Sequence, residues 1–104
     1  MKIKELFENM GLRLKDVCEV STNMEYADFW LQRKGSLETV GTVLKDYSPE
    51  NIGVKVIRTD IMDAKFLYYK MMHIHNTKYW QQLAKGSLKL QNIRTEDVKD
   101  LRIM

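Results

Sequence analysis

The chain has 104 residues, of which 44% are hydrophobic and 30% charged, and its formal net charge is +3. This composition is typical of one globular domain and argues against extended disorder, so we expect a single domain over residues 1–104. Apolar runs are too short to cross a bilayer, and the N-terminal residues lack the apolar core of a signal peptide, which predicts a cytoplasmic protein with no membrane partner.

The N-terminal residues predict a helix and then a strand. Apolar residues at positions 3, 6, 7 and 10 recur at helical spacing, so residues 2–10 are expected to form an amphipathic helix that ends at Gly11. Alternating apolar and polar residues over Leu12–Val20 predict a half-buried strand. Cys18 is the only cysteine and cannot form an internal disulfide, so we expect it to be an inert, buried thiol.

The middle of the chain predicts a small sheet. A loop is expected over residues 21–28, and a turn over residues 46–51, which contain the only proline. Three short apolar or β-branched runs are the predicted strands: Phe29–Lys34, which Gly35 and Ser36 end, then Val40–Leu44 and Ile52–Ile57. The sheet, antiparallel or mixed, is thus expected to lie within residues 1–60.

The remainder predicts helices. Asp63 is the expected N-cap of a helix over Ala64–Met72, and a second helix over Lys78–Ala84 is expected to begin at Asn76 or Thr77 and to end at Gly86. A last short helix is expected from Thr95, with Val98 and Leu101 facing inward. Strands followed by helices, rather than their regular alternation, predict an α+β fold with an N-terminal helix and C-terminal helices.

No catalytic signature is present in the sequence. It contains no phosphate-binding glycine-rich loop, no nucleophile elbow and no His-Glu-x-x-His motif. His73 and His75 fall in a predicted helix, where a spacing of two directs side chains to different faces and disfavours a shared metal ion. We therefore expect neither an enzyme nor a cofactor or metal.

Basic residues occur together with amide and aromatic side chains. Lysine and arginine neutralise phosphates, and glutamine and asparagine hydrogen-bond adenine edges, so this combination suits DNA binding. The candidate DNA-contacting residues are Arg33, Lys34, Lys45, Lys78, Tyr79, Lys85, Ser87, Lys89, Gln91, Asn92 and Arg94. A structural explanation competes, because basic residues favour helix ends and Trp80 with Leu83 is more often core than a stacking platform.

Four segments in chain order carry a family resemblance: Leu14–Val20, Phe66–Tyr69, Leu83–Ser87 and Gln91–Ile103. They resemble the target-recognition domain of type I restriction-modification specificity subunits, which typically opens with Leu-x-Asp-Val and closes with Ala-x-Gly-Ser and Asn-Ile-x-x-Glu-Asp-Val-Lys. The resemblance covers about residues 12–103. It implies a non-catalytic α+β DNA reader whose loops enter the major groove, with the contact loop at Lys85–Arg94.

Two positions depart from that family pattern. Asn23 stands where a glycine is common, and Met104 ends the chain where the family continues into a proline-rich turn and a long spacer helix. We therefore expect a freestanding form that lacks the spacer helix. A short chain rich in methionine and lysine suits a phage or mobile element, which would place the protein in the host cytoplasm.

Two other functions remain open. Single-stranded DNA binding or a transcription accessory role is favoured by aromatic residues near basic ones: Trp30, Tyr47, Tyr79 and Trp80. Interaction with a host restriction or transcription complex is favoured if an apolar patch is exposed at Met71, Met72 and Ile74. One module of this size buries little DNA surface, so a homo-oligomer is expected.

Overall fold

The computed structural model describes residues 11–86 and 90–103, so the helix predicted over residues 2–10 lies outside the described residues. The helices described are α1 (Leu14–Val17), α2 (Ala64–Asn76), α3 (Tyr79–Leu83) and α4 (Thr95–Lys99). The strands described are β1 (Cys18–Ser21), β2 (Phe29–Leu31), β3 (Lys34–Gly35), β4 (Val43–Leu44), β5 (Ile52–Val56), β6 (Lys85–Gly86) and β7 (Gln91–Asn92). Antiparallel sheets beside separate helices confirm the predicted α+β class.

The larger sheet forms the centre of the core. Its strands are ordered β1-β5-β2-β4, and every neighbouring pair is antiparallel. All three residues of β2 are buried, as are four of the five residues of β5. Burial on both faces explains why β2 is an unbroken apolar run rather than an alternating one.

A smaller sheet combines distant parts of the chain. Its strands are ordered β3-β7-β6, each is two residues long, and both pairs are antiparallel. The prediction that the sheet lies within residues 1–60 is therefore wrong. The sequences of these strands, Lys-Gly and Gln-Asn, contain no apolar residue, so no hydrophobic alternation marks them.

The strand predicted over Leu12–Val20 exists only from Cys18 onward. α1 occupies residues 14–17 instead, because the Asp16 carboxylate accepts a hydrogen bond of 2.7 Å from the Arg13 backbone N–H and closes a helical turn. Leu14 and Val17, three residues apart, are both buried, which is a helical spacing. The alternation over Leu12–Val20 therefore predicted a strand period where residues 14–17 follow a helical one.

Cys18 begins β1 and is buried, as the sequence predicts. Burial, with a smaller contribution from the Asp28 charge, raises the pKa of its thiol to about 12. Because the thiolate is the reactive form, this thiol is inert at neutral pH.

The predicted strand Phe29–Lys34 is divided between the two sheets, since β2 ends at Leu31 and β3 begins at Lys34. A turn over residues 36–41 lies beyond β3 and shortens the predicted strand Val40–Leu44 to β4. Gly41 closes this turn with a φ of +82°, and a Cβ there would overlap the Trp80 indole. The turn therefore packs directly on α3 and requires glycine at this position.

α2 confirms its predicted cap and buries one of its faces. The Asp63 carboxylate accepts a hydrogen bond of 2.9 Å from the Phe66 backbone N–H, and Leu67 and Met71 are fully buried. The helix continues to Asn76, beyond the predicted end. It then ends where the Thr77 hydroxyl donates a hydrogen bond of 2.7 Å to the Ile74 carbonyl oxygen.

The two shorter C-terminal helices form where predicted, but their first and last residues differ from the predicted ones. α3 is entered through Lys78, whose φ is +64°, and Gly86 lies in β6 rather than ending the helix. At α4 the N-cap position is Arg94 instead of Thr95, and the Asp97 carboxylate accepts a hydrogen bond of 3.3 Å from the Arg94 backbone N–H. Val98 and Leu101 are buried, as predicted.

Candidate nucleic-acid interface

The smaller sheet places three predicted DNA-contacting residues in one row. Lys34 of β3 lies opposite Asn92 of β7, and Asn92 lies opposite Lys85 of β6. Directly opposite residues of neighbouring strands share a face of the sheet, so the two lysines flank the amide on one side. We call Lys34, Asn92 and Lys85 the basic row. Both lysines are exposed, and neither forms a salt bridge with any residue in the described parts of the chain.

The row is held by backbone and amide contacts. The Asn92 side-chain nitrogen donates a hydrogen bond of 3.0 Å to the Lys85 carbonyl oxygen, which ties β7 to β6. The backbone N–H of Ile93, a residue buried in the core, donates at 3.0 Å to the Arg33 carbonyl oxygen. Because Ile93 directly follows Asn92, the basic row is fixed to the core through Ile93.

Gln91 does not present its amide at the surface, contrary to the prediction for an adenine reader. It lies opposite Gly35 and Gly86 in the next row of the sheet and is buried. Because Asn92 also uses its amide nitrogen within the sheet, neither amide is arranged for bidentate base recognition. The chemistry left at the surface is chiefly that of the two ammonium groups.

The two arginines beside this sheet are engaged by other groups. The Arg33 guanidinium donates a hydrogen bond of 2.8 Å to the Glu50 carbonyl oxygen, and its side chain is half-buried. Arg94 donates from two nitrogens to the Asp97 carboxylate at 3.0 and 3.3 Å. This hydrogen-bonded pairing raises the pKa of Arg94. Both arginines thus have part of their donor capacity satisfied within the protein.

The other predicted site residues occupy separate positions. Lys78 borders a crevice beside Leu37 and Glu38 on the turn after β3. Lys45 follows β4 and lies over the Tyr68 ring, with its Nζ 5.5 Å from the ring centroid. Ser87 and Lys89 lie outside the described residues.

The aromatic residues proposed to stack bases are mostly part of the core. Trp80 is 1% exposed, and Trp30 is buried with its indole N–H donating to the Met24 carbonyl oxygen at 2.8 Å. Tyr79 is half-buried with its ring edge-on to Trp80 at 5.0 Å. Of the four, Tyr47 is the one classed as exposed. The structural explanation for Trp80 is therefore confirmed.

The predicted apolar patch on α2 is also different from expectation. Met71 is buried and Ile74 is half-buried, so Met72 alone of the three is exposed. Phe66 and Tyr69 are exposed on this helix instead. Both fall outside the helix face that positions 64, 67, 68 and 71 form at helical spacing, so the sequence pattern is consistent with their exposure.

Within residues 11–86 and 90–103, no group of three histidine, cysteine or acidic side chains is arranged to hold a metal ion. In the same parts of the chain, no helix combines the length and the apolar character needed to cross a bilayer.

Comparison with known proteins gives a likeness of fold. No protein-family model matches the sequence, and no curated protein matches it. The structure is similar to the crystal structure of a type I restriction-modification system S subunit from M. genitalium, with a TM-score of 0.64 and 17% sequence identity. The match covers 86% of this chain and 32% of that chain, so this chain spans about a third of the subunit's length. This likeness supports the resemblance at the level of the fold.

The loop after β1 contains a residue in the left-handed conformation. Asn23 has a φ of +58°, in the left-handed region that glycine adopts most readily. Asparagine is the residue type next best suited to this conformation, so the turn forms without a glycine at position 23. Its backbone N–H donates at 2.9 Å to the Pro49 carbonyl oxygen, which fixes the loop after β1.

Proposed function

We propose that this chain is a non-catalytic DNA-binding protein that folds as one recognition domain and holds the phosphate backbone at the basic row. The observation that carries the proposal is the alignment of Lys34 and Lys85 on either side of Asn92. The fold it shares with a restriction-modification S subunit supports the same assignment.

The spacing of the row suits a polyphosphate. Neighbouring strands lie about 4.8 Å apart, so the Cα atoms of Lys34 and Lys85 are separated by roughly 10 Å across β7. Flexible lysine stems let each ammonium group reach its own phosphate from these positions. With no unpaired carboxylate in the row itself, the charge there is positive.

The expected recognition is dominated by phosphate contacts. Because the amides of Gln91 and Asn92 are used or buried within the sheet, base readout by this surface is limited. Phosphate contacts alone give weak and strongly salt-dependent binding. We therefore propose that the protein acts as a homo-oligomer, in which repeated basic rows increase the apparent affinity.

The test is a salt titration of duplex binding, with a double variant of the row and a control variant that removes one lysine outside the row. Lys34→Ala with Lys85→Ala should weaken binding and reduce the slope of log K against log salt by about 1.8, since each lost phosphate contact contributes about 0.9. Lys99→Ala removes a half-buried lysine that pairs with Glu96 on α4 and should leave the affinity within about twofold. An unchanged slope in the double variant, or an equal loss in Lys99→Ala, would refute the proposed surface.

A further inference from the structure

A second binding crevice lies beside the start of α2. It has a volume of about 420 Å³ and is lined by Asp28, Lys45, Ala64, Lys65, Tyr68 and Tyr69. This volume lies within the range of about 300–1,000 Å³ that is usual for small-ligand sites. None of the lining residues belongs to the smaller sheet, so the crevice is built from different elements than the basic row.

The charge of the crevice is positive. The Asp28 carboxylate is already satisfied, because it accepts hydrogen bonds from the Lys55 ammonium group at 3.1 Å and from the Val56 backbone N–H at 2.8 Å. Lys45 and Lys65 form no salt bridge with any residue that the structure describes. Two lysines without an ion-pair partner in the described residues therefore line a cavity whose one carboxylate is paired, which favours an anionic ligand.

The walls of the crevice also provide aromatic surface. Tyr68 is fixed on its inner side by an edge-to-face contact with Phe29, with ring centroids 5.9 Å apart. Tyr69 stands edge-on to Tyr68 at 5.3 Å, and 57% of its surface is exposed. A rigid inner ring thus supports an outer ring that is open to a planar ligand.

We infer that this crevice binds an unpaired nucleotide of a single-stranded nucleic acid, with the base stacked on Tyr69 and the phosphate held by Lys45 and Lys65. A planar base joined to an anion uses both the ring and the ammonium groups. An acidic peptide would use only the lysines, and duplex DNA hides its base faces inside the stack. The inference goes beyond the proposed function, because it concerns a separate site and an unpaired base.

The experiment measures fluorescence anisotropy of labelled oligothymidylate and of a duplex of equal length. Tyr69→Ala should weaken oligothymidylate binding at least about fivefold, the lower end of what loss of one stacked base causes. Phe66→Ala is the matched control, since it removes an equally exposed ring from the same helix without lining the crevice. It should change binding less than twofold. Tyr69→Leu keeps apolar bulk without a ring and should behave as Tyr69→Ala does.

Several results would overturn the inference. They are an equal loss in Phe66→Ala, unchanged oligothymidylate binding in both Tyr69 variants, and an equal loss of duplex affinity in those variants. Competition by polyglutamate as effective as that by oligothymidylate would identify an acidic-peptide site. Competition by thymidine monophosphate at the same nucleotide concentration would identify a free-nucleotide site.

The crevice and the basic row can be refuted independently of each other. The Lys34→Ala and Lys85→Ala double variant should lose duplex affinity while its oligothymidylate binding still depends on Tyr69. If the wild-type protein binds no duplex but keeps the Tyr69 dependence, the basic row is refuted and the crevice stands.

Discussion

The two sheets of this protein have opposite compositions. The larger sheet contains β2, in which every residue is buried and apolar, whereas the smaller sheet consists of two-residue strands made of lysine, glycine, glutamine and asparagine. The first sheet holds the fold together through apolar burial, and the second positions charge at the surface. The comparison indicates that a small domain can present exposed charge on a sheet that contributes little to the core.

The polar sheet depends on the apolar one for its position. Ile93 directly follows β7, is buried in the core, and donates from its backbone N–H to the Arg33 carbonyl oxygen just before β3. Buried anchors next to exposed strands let the lysines stay solvated while their backbone is fixed. The following changes are expected to affect one sheet more than the other, beginning with the largest effect.

Phe29→Ala should cause the largest loss of stability. The Phe29 side chain is fully buried in β2 and contacts the Tyr68 ring, so truncation leaves a cavity in the larger sheet. We expect the free energy of unfolding to fall by about 3–5 kcal/mol, a large part of the roughly 5–15 kcal/mol typical of a domain. Urea denaturation checks this value, and Phe66→Ala, at an exposed position, should cost no more than about 0.5 kcal/mol. A loss below about 1 kcal/mol would mean that Phe29 does not contribute to the core as described.

Gly86→Ala should disrupt the smaller sheet by about 1–3 kcal/mol. Gly86 has a φ of +128°, and an added Cβ would overlap the Leu90 carbonyl oxygen, so the alanine cannot be accommodated without a backbone shift. Hydrogen exchange should show loss of amide protection in β6 and β7. Amides of β2 and β5 provide the internal control and should keep their relative protection. Uniform loss across both sheets would mean that the two sheets unfold as one unit.

The contrast between the sheets also explains what could be predicted from the sequence. The apolar runs at β2 and β5 and the capped, periodic α2 were recognised, because burial imposes composition and period on them. The strands of the smaller sheet were missed, since two-residue polar pairings depend on contacts between positions 34, 85 and 92 that no local pattern encodes. The α1 turn was not predicted because the alternation over Leu12–Val20 indicates a strand, and it does not reveal that Asp16 accepts a hydrogen bond from the Arg13 N–H.

The residue types of the candidate site could be predicted from the sequence, whereas their arrangement in space could not. The sequence singled out Lys34, Lys85 and Asn92 by chemistry, and the smaller sheet brings these three together. It did not separate them from Arg94, whose guanidinium is paired with Asp97, or from Gln91, which is buried. Which charged group has an internal partner is decided by tertiary contacts, so composition alone overestimates the number of available cations.

Asn92→Ala should have a moderate effect confined to the smaller sheet. It removes the hydrogen bond of 3.0 Å from the Asn92 amide to the Lys85 carbonyl oxygen, at a half-buried position. A hydrogen bond of this kind contributes about 0.5–1.5 kcal/mol, so we expect a loss of about 1 kcal/mol by urea denaturation. Asn76→Ala, at an exposed helix end, is the control and should be near neutral. If the two variants are equally stable, the Asn92 amide does not hold β6 to β7.

Lys34→Gln should have the smallest effect on stability, within about 0.5 kcal/mol, because its ammonium group has no ion-pair partner in the described parts of the chain. Lys55→Gln is the informative control. It breaks the ion pair of 3.1 Å between Lys55 and Asp28, which is worth about 0.2–1 kcal/mol and should weaken at high salt. Denaturation at low and high salt gives the free energy of unfolding of both variants. It distinguishes a lysine that stabilises the fold from one that does not. A greater loss in Lys34→Gln than in Lys55→Gln would mean that the basic row stabilises the protein, and the division of roles between the two sheets would then fail.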